Sequence, residues 1–183
     1  MFSDKTFSNF TKNGPLMAVL TNSAQRVQDF LAAKGFACTV RELPGSCRTA
    51  EEAALSIGCE VAQIAKALIF READSDLPVL IIACGTHRVD LKKIETATGL
   101  KLVRADGRYV KERVGYAIGG IPPVGHLEPL LTILDQDLRQ YEVLWAAAGT
   151  PFAVFALKSG DLQPLTDGKW LDLAQTGEER RQG

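Results

Sequence analysis

The stretch Val61-Ala62-Gln63-Ile64-Ala65-Lys66-Ala67-Leu68-Ile69-Phe70, followed by Pro78-Val79-Leu80-Ile81-Ile82-Ala83-Cys84, decides the fold. Ala67–Phe70 and Pro78–Cys84 are continuous apolar runs, too short for helices and rich in branched residues, so each reads as a buried strand. Val61 to Ala65 reads as a short helical turn, which puts Lys66 at a helix-to-strand junction.

Working outward, Asn22-Ser23 offers an N-cap, Val27, Phe30 and Leu31 recur at helical spacing, and Gly35 stops a first helix. Ala37 to Leu43 reads as a strand. Thr49-Ala50-Glu51-Glu52 is a capping box ahead of a second helix that ends at Gly58. Downstream, Gly85-Thr86-His87-Arg88 is a loop, a helix runs from about Asp90 to Thr98, Lys101–Val103 is a short strand, and Asp106 caps a helix through Val114. Leu131–Leu134, Glu142–Ala147 and Phe152–Leu157 read as later strands, and a capped helix from Asp161 runs into the tail. Strands that alternate with helices and then cluster predict an α/β domain with a curved, mixed sheet rather than a doubly wound one. Residues 1–21 are expected to be a loose leader, 22–175 the domain and 176–183 a frayed tail.

With 183 residues, 46% hydrophobic and 23% charged, the chain suits one globular core. The formal charge of −1 excludes indiscriminate binding of nucleic acid or anionic membrane. Charge is uneven, however: Arg88 to Arg113 holds eight cations and four carboxylates, a local +4 against −5 elsewhere. Lys92, Lys93, Arg108 and Lys111 are the candidate phosphate-tracking residues of that window, although solvated helix faces share the pattern. No apolar run is long enough to span a membrane and no signal peptide is legible, so a cytoplasmic location is expected. Cys38, Cys47, Cys59 and Cys84 form no CxxC pair and His87 and His126 stand apart from them, so no metal site, cofactor or Cys–His nucleophile is expected.

Three features could carry chemistry. Lys66 beside an apolar strand is either a snorkelling surface lysine or a partly desolvated, functional ammonium. Gly119-Gly120-Ile121-Pro122-Pro123-Val124-Gly125 cannot be regular helix or central strand; it is either a rigid connector or a loop whose backbone approaches a ligand closely. It matches no dinucleotide or P-loop fingerprint. Asp135, at the end of an apolar strand, is either a cap for the following turn or a polar group aimed into a pocket. Trp145 and Trp170 read as packing residues.

Thr49-Ala50-Glu51-Glu52-Ala53-Ala54, Gln63–Phe70, Val89-Asp90-Leu91-Lys92-Lys93, Gly115–Pro123 and Ile133-Leu134-Asp135, in this order, resemble the YbaK/EbsC family of aminoacyl-tRNA deacylases, related to the editing domain inserted in bacterial prolyl-tRNA synthetase. The resemblance covers roughly Ser23 to Leu165. It implies a single domain with a strongly curved, partly barrel-like mixed sheet, and hydrolysis of the ester joining a wrong amino acid to tRNA. By this resemblance Lys66 is the functional lysine. Gly119, Gly120 and Pro123 belong to the family's GxxxP loop, and Asp135 matches its pocket aspartate. Ile121, Pro122, Gly85, His87 and Gly149 are expected around the substrate. The implied partners are the acceptor end of an aminoacyl-tRNA and possible association with a synthetase, with no membrane, metal or cofactor. Family members that act on cysteinyl-tRNA(Pro) carry a serine where this chain has Pro122 and Ser-Gly-Gly where it has Ala147-Ala148-Gly149, which leaves the amino acid open among Ala, Ser, Thr, Cys and small analogues. The competing class is a non-catalytic module that binds the acceptor end or a synthetase.

Overall fold

The computed structural model describes residues 19–177. Most of the expected leader and the tail from residue 178 lie outside the described residues. Helix α1 (Asn22–Ala33) buries Val27 and Leu31 completely, as the spacing predicts, together with Ala24, whereas Phe30 is half-buried. The strand expected over 37–43 shrinks to β1 (Arg41–Glu42). The physical reason is local: the Gln28 side chain donates to the Cys38 carbonyl and accepts from the Val40 amide, occupying groups that a longer strand would need.

Thr49 caps α2 (Ala50–Ile57) by accepting from the Glu52 amide at 3.1 Å. The Glu52 carboxylate accepts from the Arg48 amide, one residue earlier than a strict capping box requires. A single 3-10 turn, Val61–Gln63, leads into β2 (Ala65–Glu72), so Lys66 sits inside a strand rather than at its junction. Next come β3 (Pro78–Cys84), α3 (Leu91–Thr98), β4 (Leu102–Arg104) and α4 (Gly107–Val114). After the glycine-proline loop follow β5 (Leu131–Asp135), a 3-10 turn over Gln136–Gln140, β6 (Val143–Ala147), β7 (Ala153–Lys158), α5 (Ser159–Thr166) and β8 (Lys169–Leu171). Strand β8 has only three residues, too few for a legible period, and it replaces the continuous helical tail expected from Asp161.

The strands form two sheets rather than one. A five-stranded mixed sheet has the order β4-β2-β3-β5-β8, with β3-β5 and β5-β8 parallel, and a three-stranded antiparallel sheet has the order β1-β7-β6. One bridge, Ile64 to Trp145, joins the strand edges. Among the described residues there is no closed barrel. The main core lies between the sheets, where Ala65 and Ile69 of β2 meet Leu80 and Ile82 of β3 together with Leu144 and Phe155. On the opposite face of the five-stranded sheet α3 covers Val79, Ile81 and Ile133 through Ile94. No helix among the described residues is long and apolar enough to cross a membrane.

Asp90, 8% exposed, caps α3 by accepting from the Lys92 and Lys93 amides. Asp90→Ala is expected to cost about 1–2 kcal/mol, because both first-turn amides lose their acceptor. Denaturant unfolding measures it; a loss below experimental error would mean that the turn is held by other contacts.

Candidate functional site

Alternation along β2 points Lys66, Leu68 and Phe70 to one face of the five-stranded sheet and Ala65, Ala67 and Ile69 to the main core. A cleft of about 1140 Å³ runs along β2 and is lined from both of its faces, by Lys66, Leu68 and Phe70 and by Ala65, Ala67 and Ile69; α2, the Gly85–Lys92 segment, Ile118 to Ile121 and the end of β6 wall it. Lys66 Nζ donates to the His87 carbonyl at 2.8 Å and to the Gly85 carbonyl at 3.4 Å. Two of its three N–H groups are thereby fixed and one remains for a ligand. Burial lowers its pKa from the ordinary lysine value, with Glu51 and Asp135 acting in the opposite direction and Arg88 adding to the lowering. This is the desolvated ammonium rather than the snorkelling one.

Gly85 is set against α2 and the 3-10 turn: a Cβ there would overlap the Val61 carbonyl and stand 3.1 Å from Ala50 and Ile64. His87 lies in the cleft wall, with Nδ1 2.7 Å from Asp135 Oδ2. Asp135, 1% exposed, lies behind that wall rather than in it. Its Oδ2 also accepts from the Cys84 amide and its Oδ1 from the Asp137 amide, so Asp135 is at once a cap and a support for the site. One ligand atom each from His87, Asp135 and Asp137 lies within 4.8 Å of the others, the one such metal-compatible group among the described residues. Both Asp135 oxygens already serve amides, and the group is satisfied as a hydrogen-bonded network.

The glycine-proline loop is shaped from beneath. Tyr116 donates to the Gly125 carbonyl, Arg26 donates to the Tyr116 hydroxyl, and His126 Nε2 is 2.8 Å from the Pro122 carbonyl. Gly119, at φ +92°, and Ile121 face the cleft, whereas Pro122 and Pro123 are buried behind it. The Gly120 amide donates to the Ala117 carbonyl and is therefore committed to a turn. A Cβ on Gly120 would lie 2.6 Å from the Thr150 backbone. Gly120→Val is accordingly expected to destabilise the fold by about 1–3 kcal/mol and to abolish activity by pushing the loop away from the β6–β7 turn. A thermal melt beside a deacylation assay checks it; a parent-like variant would make the loop a connector only.

Gly149 packs against the Ser23 carbonyl, away from the cleft lining, although Ala146 and Ala147 beside it line it. Of the basic candidates, Lys92 lines the cleft, Lys93 pairs with Asp172, and Arg108 pairs with Glu112 on the exposed face of α4. Lys111, on the same helix, is exposed and outside the lining. Arg48, Arg88, Arg104 and Trp145 also line the cleft, and sequence reasoning singled out none of them as site residues. Arg88 and Arg104 could have been found from the +4 window; Arg48 carries no local signal. Arg41 stacks 4.4 Å above the Trp145 ring. Cys47 reaches the cleft too, but burial pushes its thiol pKa up, which leaves it protonated and poorly nucleophilic at neutral pH.

Residues 45–165 match the family model of the aminoacyl-tRNA editing domain. The chain belongs to this family. Membership makes it an aminoacyl-tRNA deacylase, a hydrolase of the aminoacyl ester. Bacillus subtilis YwhH, an uncharacterised protein, is 31% identical over 140 residues, which is 76% of this chain and 88% of YwhH. EbsC of Enterococcus faecalis, named as a candidate Cys-tRNA(Pro)/Cys-tRNA(Cys) deacylase, is 29% identical over 126 residues, or 68% of this chain and 76% of EbsC. A crystal structure of a candidate trans-editing enzyme for prolyl-tRNA synthetase superposes with a TM-score of 0.81 at 43% identity, covering 86% of this chain and 100% of the other.

Proposed function

We propose that this editing domain, spanning residues 22–175, is a free-standing trans-editing deacylase that clears a small wrong amino acid from tRNA(Pro) or a similar tRNA in the cytoplasm. The observation that carries the reading is the part-buried Lys66 ammonium, fixed by two carbonyls in the wall of a cleft large enough for an aminoacyl-adenosine. The likeness to a candidate trans-editing enzyme for prolyl-tRNA synthetase supports the choice of tRNA and the association with a synthetase.

The ester is already activated, so the site has only to orient a water, whose proton the neighbouring ribose hydroxyl can relay, and to stabilise the oxyanion that forms. The water attacks the carbonyl carbon and gives up a proton while charge moves onto the carbonyl oxygen; collapse returns the pair and expels the ribose oxygen, which takes that proton, and the amino acid leaves with a free carboxyl group. No acyl-enzyme is needed. The remaining N–H of Lys66 holds a ribose or phosphate oxygen and adds positive charge near the developing anion. Gly119 and Ile121 form the opposite wall, and Asp135 and His87 keep the acceptors of Lys66 in place.

The test is release of amino acid from tRNAs mischarged with Ala, Ser, Thr or Cys by the purified protein, without added metal or nucleotide. Turnover of at least one of them, lost in Lys66→Ala, is expected. A parent protein that binds these tRNAs but releases nothing would replace the deacylase with a binding module.

A further inference from the structure

Helix α1 lies outside residues 45–165, the span that matches the editing-domain model, yet it is tied to the glycine-proline loop along two routes. Arg26 makes the first. Its guanidinium stacks 4.3 Å from the centre of the Tyr116 ring, donates from Nε to the Tyr116 hydroxyl at 3.0 Å, and donates from Nη2 to the Gly115 carbonyl at 3.2 Å. Tyr116 is 1% exposed, and its hydroxyl donates in turn to the Gly125 carbonyl at 2.8 Å. The direction of this relay is fixed: a guanidinium has donors only, so the single hydroxyl proton is left for Gly125. The second route is packing. A Cβ on Gly149 would lie 2.7 Å from the Ser23 carbonyl of α1 and 3.0 Å from the Tyr116 ring, and one on Gly120 would lie 2.6 Å from the Thr150 backbone. The β6–β7 turn is thus wedged between α1 and the loop.

The Pro122 carbonyl has a strut of its own in His126. Burial lowers the His126 pKa, with Arg26 adding to the lowering and the Pro122 carbonyl opposing it, so the imidazole is neutral at physiological pH. Because that carbonyl can only accept, the ring proton sits on Nε2. The His126 ring meets the Tyr116 ring edge to face, with centroids 6.2 Å apart. Arg26 itself is exposed and lies outside the cleft lining, whereas Gly119 and Ile121, the residues these struts hold, line the cleft. In a reaction that depends on a preset oxyanion site, a wall displaced by about 1 Å slows the chemical step more than it weakens binding. We propose that Arg26 is a positioning residue for deacylation, acting through Tyr116 on the Gly125 end of the glycine-proline loop, so that α1 is a working part of the site. The proposal rests on the reading of the cleft around Lys66 as the place of ester hydrolysis.

The experiment combines steady-state deacylation of the mischarged tRNA that the parent clears fastest, a thermal melt, and hydrogen exchange of the Gly119–Gly125 peptide read by mass spectrometry. The variants are Arg26→Ala, Arg26→Lys, Tyr116→Phe, the double Arg26→Ala/Tyr116→Phe, and Gln28→Ala. Gln28 sits on the same helix and bonds to the Cys38 and Val40 backbone, so its loss weakens α1 without touching the loop. Arg26→Ala and Tyr116→Phe are each expected to lower kcat about tenfold, to leave KM within about twofold of the parent and to speed exchange of the loop. The double variant should fall within about twofold of Tyr116→Phe alone, since the guanidinium acts through the hydroxyl. Arg26→Lys should recover part of the rate, because a point charge lacks the fork that reaches both acceptors. Gln28→Ala should melt lower than the parent yet keep its kcat and its loop exchange. A folded Arg26→Ala with the parent kcat, a double variant whose losses multiply, or an equal loss of kcat in Gln28→Ala overturns the proposal. Loop exchange is scored on its own. The expected exchange pattern in a parent that hydrolyses nothing supports the hold of Arg26 on the loop and removes the deacylase reading instead, whereas hydrolysis without that pattern overturns the relay.

Discussion

Lys66→Ala is expected to slow single-turnover deacylation by about 10²- to 10³-fold, the range seen when one preorganised electrostatic donor is removed, while melting no lower than the parent. The two halves of this expectation have one cause. The ammonium is held partly out of water by β2 and α2, and its burial lowers its pKa. A group whose folded pKa lies below its unfolded value binds fewer protons in the folded chain, so folding gains stability as pH rises from the folded pKa toward the ordinary lysine value. At neutral pH the charged form is therefore a cost to the fold. Lys66→Met, which keeps the stem and drops the charge, should raise Tm by about 2–4 °C for each kcal/mol recovered. Lys66→Arg should restore little activity, since a planar fork cannot take the place of a point charge between the Gly85 and His87 carbonyls. The lowered pKa also predicts that the part of the rate supplied by Lys66, corrected for spontaneous ester hydrolysis, fades on the alkaline side at a lower pH than an ordinary lysine would give. Parent-like rates in Lys66→Ala, or a rate loss matched by unfolding, would remove Lys66 from the chemistry.

What could be read from the sequence follows the range of the interactions involved. Strand β3 and the caps of α3 and α4 were legible because apolar runs and Asp90 or Asp106 act within a few residues. The strand expected over 37–43 failed because Gln28, twelve residues before Val40, takes its hydrogen bonds. Strand β8 was invisible because three residues of edge strand carry no period. The division into two sheets depends on where β6 and β7 pair, which is a matter of tertiary register. At the site, Lys66 and the glycine-proline loop announced themselves by composition. Arg48 did not, for its place beside Gly119 is set by the turn that precedes α2. Gly149, expected near the substrate only through the family resemblance, has a left-handed backbone packed against the Ser23 carbonyl, a contact made 126 residues away in the chain and so without local signal. The basic window divides in the fold: Lys92 lines the cleft, whereas Arg108 and Lys93 pair with Glu112 and Asp172, partners that sequence spacing only partly shows.

Asp135→Ala is the second large effect expected, and it acts at a distance. The carboxylate is buried and accepts from the Cys84 amide, the Asp137 amide and His87 Nδ1. Removing it strands two amides and one ring N–H, and a loss of about 3 kcal/mol is expected from charge-assisted bonds of this kind. Activity should fall as well, by about 10- to 100-fold, although Asp135 lies outside the cleft lining. The route is through His87: its ring is tied to Asp135 and its carbonyl is the shorter of the two acceptors that hold Lys66. A displacement of about 1 Å at a positioned group is enough for such a loss. His87→Ala separates route from stability, since it leaves the Cys84 and Asp137 amides their acceptor and frees only the loop. It should melt within about 1 kcal/mol of the parent and still lower kcat with KM nearly unchanged, and His87→Asn, whose amide can donate to Asp135, should recover part of the rate. If His87→Ala keeps the full parent kcat, Asp135 supports the fold alone and the alignment of Lys66 has another source.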